Sequence, residues 1–271
     1  MATSENILKI SKLEKEYQGK TVIHGIDLEI FPGEFVVVIG PSGAGKTTLV
    51  RCINQIIKPT SGHVEFLGVD FSQIKGKQLR KMSGKIGMIF QHYNVIGRTN
   101  VIRNVLHGCL GNHNFIKTAL GLYSEDEKQK AVDLLKNVGL EEFVFKKVNT
   151  LSGGQMQRVG VCRAIMQKPK LILADEPISS LDQATATQIM DEVKKLVDAK
   201  EASCIMNLHQ IQFAKKYATR IIGLKNGEII FDGVPASLTD SIIQDIYEGK
   251  TEEIKLEHET LQMTELKLGV V

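Results

Sequence analysis

The chain has 271 residues, 42% of them hydrophobic, with 34 Lys and Arg against 31 Asp and Glu for a net charge of +3. This is ordinary globular composition, enough for one large domain or two small ones, and the basic excess is too mild to imply nucleic acid by itself. Four widely spaced cysteines, Cys52, Cys109, Cys162 and Cys204, never form a C-x-x-C pair, so they indicate reduced thiols of a cytosolic protein rather than a zinc site or disulfide framework.

The stretch from Met1 to Lys20 is charged throughout, with no apolar run before a small-residue cleavage site, so no secretory signal is expected. From Ile7 to Ile30, short alternating segments divided by Gly19 and Gly25 predict an antiparallel β region that closes at Pro32-Gly33. Phe35 to Ile39 is instead continuously apolar, as in a strand buried on both faces of a parallel sheet. It falls far short of the roughly 20 residues that a membrane-spanning helix needs.

Residues from about 93 to 150 show helical periodicity. An S-x-x-E capping box at Ser124 and Glu127 opens the clearest helix, which runs through Ala131, Leu134, Leu135 and Val138 to Gly139. A further helical run covers Met156 to Met166. Leu171 to Ala174 and Ser203 to Leu208 repeat the buried-strand pattern, and the helix predicted between them, Ala184 to Asp198, aligns Ile189, Met190, Val193, Leu196 and Val197 on one side. Strand, helix, strand predicts an α/β core. The expected organisation is one domain over 1–248, with a helical subdomain of about 93–165 inserted in that core. An extension over 249–271 would be a terminal helix or a frayed tail.

Three motifs carry chemistry. Gly40-Pro41-Ser42-Gly43-Ala44-Gly45-Lys46-Thr47 matches G-x-x-x-x-G-K-[ST] between an apolar strand and a helical stretch that begins at Thr48. Glycine backbones there can turn successive N–H groups toward one phosphate, beside a positive helix N-terminus. Lys46 would bind the β- and γ-phosphates and Thr47 a magnesium ion. The strand from Leu171 ends in Asp175 and Glu176, at the edge where an open α/β sheet places its ligands. Asp175 suits metal support and Glu176 suits a base acting on water. Leu151-Ser152-Gly153-Gly154-Gln155 opens another helix, either as a second anion-binding helix start or as a helix cap with a flexible lead-in.

In this order, the P-loop, LSGGQ and LILADEP resemble the ATPase subunits of ABC transporters over about Ile7 to Gly249. LSGGQ is the specific element. The resemblance implies an ABC ATPase fold: a P-loop NTPase, RecA-like α/β core with an antiparallel β subdomain and the inserted helical subdomain. It implies ATP and Mg2+ as ligands and a head-to-tail homodimer, each ATP lying between the P-loop of one chain and Ser152, Gly153, Gly154 and Gln155 of the other. By the same resemblance Tyr17 stacks on adenine, and Gln91 reaches the metal and the water. Asp182, in Ser180-Leu181-Asp182, lies in the loop that crosses the dimer interface, and His209 contacts the γ-phosphate. Taken singly, Tyr17 reads as a surface residue, Gln91 as a solvated one and His209 as structural. Gln210 stands where many members of the family have an acid.

The text around the motifs is similar to the phosphonate-import ATPases: Arg51 to Asn54, Gly87 to His92, Gly108 to Gly111, Ala119 to Tyr123, Asn207 to Gln210, Ile221 to Leu224 and Ile230 to Gly233. That similarity implies an importer of phosphonates or phosphite at the cytoplasmic face of the membrane. A permease and an extracytoplasmic substrate-binding protein would be supplied by other chains, with no nucleic acid involved. Importers of methionine or polar amino acids are more distant alternatives. A soluble ABC clamp would carry a long coiled coil or a second cassette, yet no sustained heptads lie between Lys46 and Asp175. A non-hydrolysing regulator would lack Glu176 or His209.

Overall fold

The computed structural model describes residues 6–91, 94–112 and 121–248. His92, Ala119 and the extension over 249–271, with its choice between helix and tail, lie outside the described residues.

Strands β1 (Leu8–Tyr17) and β2 (Lys20–Ile30) pair as an antiparallel hairpin. Gln18 and Gly19 between them both have positive φ, 51° and 81°, which a two-residue turn matched to strand twist requires. Contrary to expectation, the strand does not break at Gly25. The pairing slips between Leu13↔Ile26 and Lys15↔Ile23, so Gly25 sits in an irregularity within one long strand. With β4 (Ser61–Phe66) and β5 (Val69–Asp70) these strands form a sheet in the order β2-β1-β4-β5.

The second sheet is built from β3 (Phe35–Ile39), β6 (Ile86–Ile89), β7 (Leu171–Asp175), β8 (Ser203–Asn207), β9 (Arg220–Lys225) and β10 (Glu228–Gly233). Its order is β10-β9-β3-β8-β7-β6, parallel except at β10. Every residue of β3, β7 and β8 is buried. Alternate side chains serve opposite faces. Val36 and Val38 pack into a core with helix α1 (Lys46–Ile53) and the antiparallel sheet. Phe35, Val37 and Ile39 pack into another with the helix Gln183–Asp198. Each such fully buried Val, Ile or Phe contributes about 1.5–3 kcal/mol, so the strand ends at the sheet's carboxyl edge are firmly held.

Helix α2 (Gly76–Ser83) follows β5 and was not anticipated; it buries none of its residues fully, and only Leu79 and Met82 pack, partly buried, against the core. A separate core joins α3 (Val101–Leu106), α4 (Glu125–Asn137) and α5 (Gly153–Met166) through Val105, Leu135, Val159 and Cys162. Both halves of the Ser124–Glu127 capping box form. Helix α5 begins three residues earlier than the apolar pattern suggests, because Ser152 caps it and the two glycines enter the first turn. The described helices end with α6 (Gln183–Asp198), α7 (Ile211–Tyr217) and α8 (Asp240–Tyr247).

All four cysteines are free and buried. Burial pushes the Cys52 and Cys109 thiols up to about 11, and those of Cys162 and Cys204 higher still. At pH 8 roughly a thousandth of a thiol with such a pKa is thiolate, the reactive form. A thiol reagent should therefore label none of the four within minutes in the native protein and all four after denaturation; a fast native thiol would contradict this burial.

Candidate active site

From Ile39 the chain turns through Gly40, Pro41, Ser42, Gly43, Ala44 and Gly45 into α1. Gly40 has φ 150°, and a Cβ there would lie 2.0 Å from the Leu224 carbonyl oxygen. Gly40→Ala should therefore destabilise the fold by more than about 2 kcal/mol, through overlap that backbone cannot easily relieve. Denaturant unfolding measures this, and a variant as stable as wild type would refute the packing at Gly40. Gly43, φ 84°, has no atom within 4 Å of its would-be Cβ, so the loop opens onto free space at the turn.

The N-terminus of α1 has no side-chain cap and no acid in its first turn, so its first N–H groups remain available to an anion. Lys46 is only 5% exposed. Its ammonium donates to the carbonyls of Gly40 at 2.7 Å and Pro41 at 3.0 Å, leaving the third of its donors for a phosphate. Burial lowers the Lys46 pKa, opposed by the nearby charges of Glu176 and Asp175. Ser42, Gly43, Gly45, Lys46, Thr47 and Thr48 line a cleft of about 210 Å³, together with Val22 and Glu176.

The parallel sheet delivers the remaining groups to the same edge. Asp175 ends β7, buried, and its Oδ1 accepts from Thr47 Oγ1 at 2.9 Å and from Asn207 Nδ2 at 2.8 Å. Glu176 follows with φ 51°, a left-handed conformation that costs a non-glycine residue strain and recurs at functional sites. The Ser179 hydroxyl donates to its carbonyl at 3.1 Å. Its carboxylate is held from two sides: His209 Nε2 is 2.6 Å from Oε1, and Gln91 Nε2 donates to Oε2 at 3.2 Å. P-loop, strand-end acids, Gln91 and His209 thus converge.

Among the described residues no group of three or more His, Cys, Asp and Glu side chains could hold a metal ion by itself. The donor set at Thr47 and Asp175 fits magnesium, which takes one or two protein oxygens and completes its shell with phosphate oxygens and water.

Other expected residues lie apart from this cleft. The Tyr17 ring is 41% exposed, with Lys15 Nζ 4.9 Å from its centroid, and Val22 rather than Tyr17 lines the cleft. At the start of α5, Ser152 Oγ accepts from Gln155 N at 3.3 Å and Gln155 Oε1 from Ser152 N at 2.8 Å. That reciprocal cap occupies both side chains while leaving the N–H groups of Gly153 and Gly154 unclaimed. Asp182 caps α6, accepting from Thr185 N at 3.0 Å, and this bond lowers its carboxyl pKa.

Two contributors escaped the sequence. Asn207, fully buried, steadies Asp175, and the Tyr247 hydroxyl accepts from Gly40 N at 3.2 Å. Nothing local marks either one.

A family model described as ABC transporter matches residues 23–179, more than half of the chain. The chain belongs to the ABC transporter family. A phosphonates import ATP-binding protein of Treponema denticola is 49% identical over 88% of this chain and 93% of its own length. One of Halalkalibacterium halodurans is 48% identical over 89% of this chain and 100% of its own. Among solved structures, a bacterial ABC transporter cassette in dimeric form is 33% identical with a TM-score of 0.77, covering 85% of this chain and all of its own. A dimeric cassette in a post-hydrolysis state bound to ADP and Pi is 34% identical, with a TM-score of 0.75 and the same coverage. As an ABC transporter ATPase the chain binds and hydrolyses ATP, in a fold with a P-loop core. No helix among the described residues is long and apolar enough to cross a membrane.

Proposed function

We propose that this chain is the ATP-hydrolysing subunit of an ABC importer for phosphonates, working as a homodimer beneath a permease at the cytoplasmic face of the membrane. The observation that carries the reading is the cleft lined by Lys46, Thr47 and Glu176, with Asp175 bonded to Thr47 and with Gln91 and His209 bonded to Glu176. The cargo follows from relatives at 48–49% identity, both named for phosphonate import. An extracytoplasmic substrate-binding protein would deliver that cargo to the permease. The single ATPase domain spans 1–248, its helical subdomain covering about 93–165.

In this reading Lys46, the P-loop N–H groups and the first turn of α1 bind the β- and γ-phosphates, and Tyr17 packs on the adenine. Magnesium, held by Thr47, Asp175 and Gln91, would neutralise charge developing on the transferred phosphoryl group. Glu176 accepts a proton from the attacking water as that water's oxygen bonds to the γ-phosphorus and the bond to ADP breaks, giving ADP and phosphate. His209 holds the Glu176 carboxylate in line and reaches toward the γ-phosphate, while Gln91 fixes the water from the other side. Ser152, Gly153, Gly154, Gln155 and Asp182 face the partner subunit, where the Gly153 and Gly154 N–H groups at the start of α5 close over its ATP.

Uptake of labelled methylphosphonate tests the whole reading, in cells that lack the chain and are complemented with wild type or Glu176→Gln. Restoration by wild type alone is the expected result. Strong competition by phosphite would assign the smaller oxyanion to the same route. Uptake independent of the chain would discard the cargo.

A further inference from the structure

Gln157 is a polar side chain where the core around it is apolar. It lies on α5 one turn beyond Gly153 and is 2% exposed. Its Nε2 donates to the carbonyl of Phe90 at 3.0 Å and to that of Pro177 at 3.1 Å. Phe90 immediately precedes Gln91, and Pro177 immediately follows Glu176. One amide group therefore ties together the two chain segments that carry the groups on either side of the attacking water.

Its orientation is dictated by those acceptors. Turning the amide over would set its oxygen against two carbonyl oxygens. The consequence is that Gln157 Oε1 is buried without a partner, an expense that an apolar side chain of similar volume would avoid. What the amide secures is the turn after β7. Glu176 sits there in its left-handed conformation, pinned on one side by Ser179 and on the other, through Pro177, by Gln157. The same helix touches the following loop at its start, where a Cβ on Gly154 would come within 2.9 Å of the Leu181 side chain.

We infer that Gln157 is a positioning residue: it holds Gln91 and Glu176 in register and anchors both to α5. The inference rests on the proposed roles of Gln91 and Glu176. It has a structural consequence for the dimer, because the helix whose N-terminus faces the partner's ATP is the helix that fixes the catalytic turn of its own chain. A load on the start of α5 reaches Glu176 through one side chain.

The test uses the full-length chain with Gln157→Leu and Gln157→Met, the second offering a flexible side chain should the first fail to fold. Equilibrium binding of ATP, kcat, KM and thermal unfolding are measured for each, with Glu176→Gln alongside. Expected is a 10–100-fold fall in kcat with KM and ATP affinity within about twofold of wild type, because Lys46 and the P-loop are untouched. Gln157→Glu adds a pH readout. Its protonated acid can donate to one carbonyl and its carboxylate to neither, so its kcat relative to wild type should fall as pH rises. A kcat within twofold of wild type in a folded Leu or Met variant would overturn the proposal, as would a loss of kcat and ATP affinity in equal measure. If Glu176→Gln itself hydrolyses ATP at the wild-type rate, the assignment of Glu176 falls and the positioning role falls with it. If Glu176→Gln is inactive while the Gln157 variants are normal, only the role of Gln157 is lost.

Discussion

Glu176→Gln should hydrolyse ATP about 10²–10⁴-fold more slowly than wild type, a barrier increase of about 2.7–5.5 kcal/mol, while binding the nucleotide almost as tightly. The substitution is nearly isosteric. It leaves intact the Lys46 ammonium, the open N–H groups of α1 and the Thr47–Asp175 pair, the groups proposed to bind the nucleotide. What it removes is the acceptor for a proton. The amide oxygen can still take a hydrogen bond from His209 or Gln91, which contact the two oxygens of the wild-type carboxylate, but it is far too weak a base to take a proton from water. Phosphate release at saturating ATP and magnesium, measured beside equilibrium binding, separates the two effects. A variant that turns over within twofold of wild type would remove Glu176 from the role of base.

Much of this site could be read from the chain because its chemistry is written in contiguous runs. The P-loop occupies eight successive residues, and the apolar strands Phe35–Ile39, Leu171–Asp175 and Ser203–Asn207 each stop within two residues of a functional group. In a parallel sheet those stops fall on one edge, so Lys46, Asp175 and His209 were bound to meet. The rest depends on partners distant in sequence. Tyr247 supports Gly40 across 207 positions, and Gln157 reaches Phe90 across 67. Asn207 looks like the last polar residue of a strand until Asp175 is beside it. Local rules failed where tertiary pairing overrode them. Gly25, an apparent strand break, is absorbed by an irregular register in β2, and the turn that holds the unfavourable φ of Glu176 is bonded both by nearby Ser179 and, through Pro177, by Gln157 from another helix.

Lys46→Ala is expected to act on the other half of the reaction, weakening ATP binding roughly 10–150-fold, since a hydrogen bond to a charged group is worth about 1.5–3 kcal/mol. Two consequences of the cut reinforce each other. The phosphates lose their buried cation, and the carbonyls of Gly40 and Pro41 lose the donor that draws the loop around it. Lys46→Arg is the discriminating control. It preserves the charge, but its planar fork is a poor replacement for a compact ammonium in a site that is 5% exposed. If charge alone governed affinity, Arg would restore it. If the loop's shape around a tetrahedral donor governs it, Arg should bind ATP nearly as poorly as Ala. Titration of a fluorescent ATP analogue reads both variants. Undiminished affinity in Lys46→Ala would detach the nucleotide from the P-loop altogether, because no other buried cation among the described residues lines the cleft.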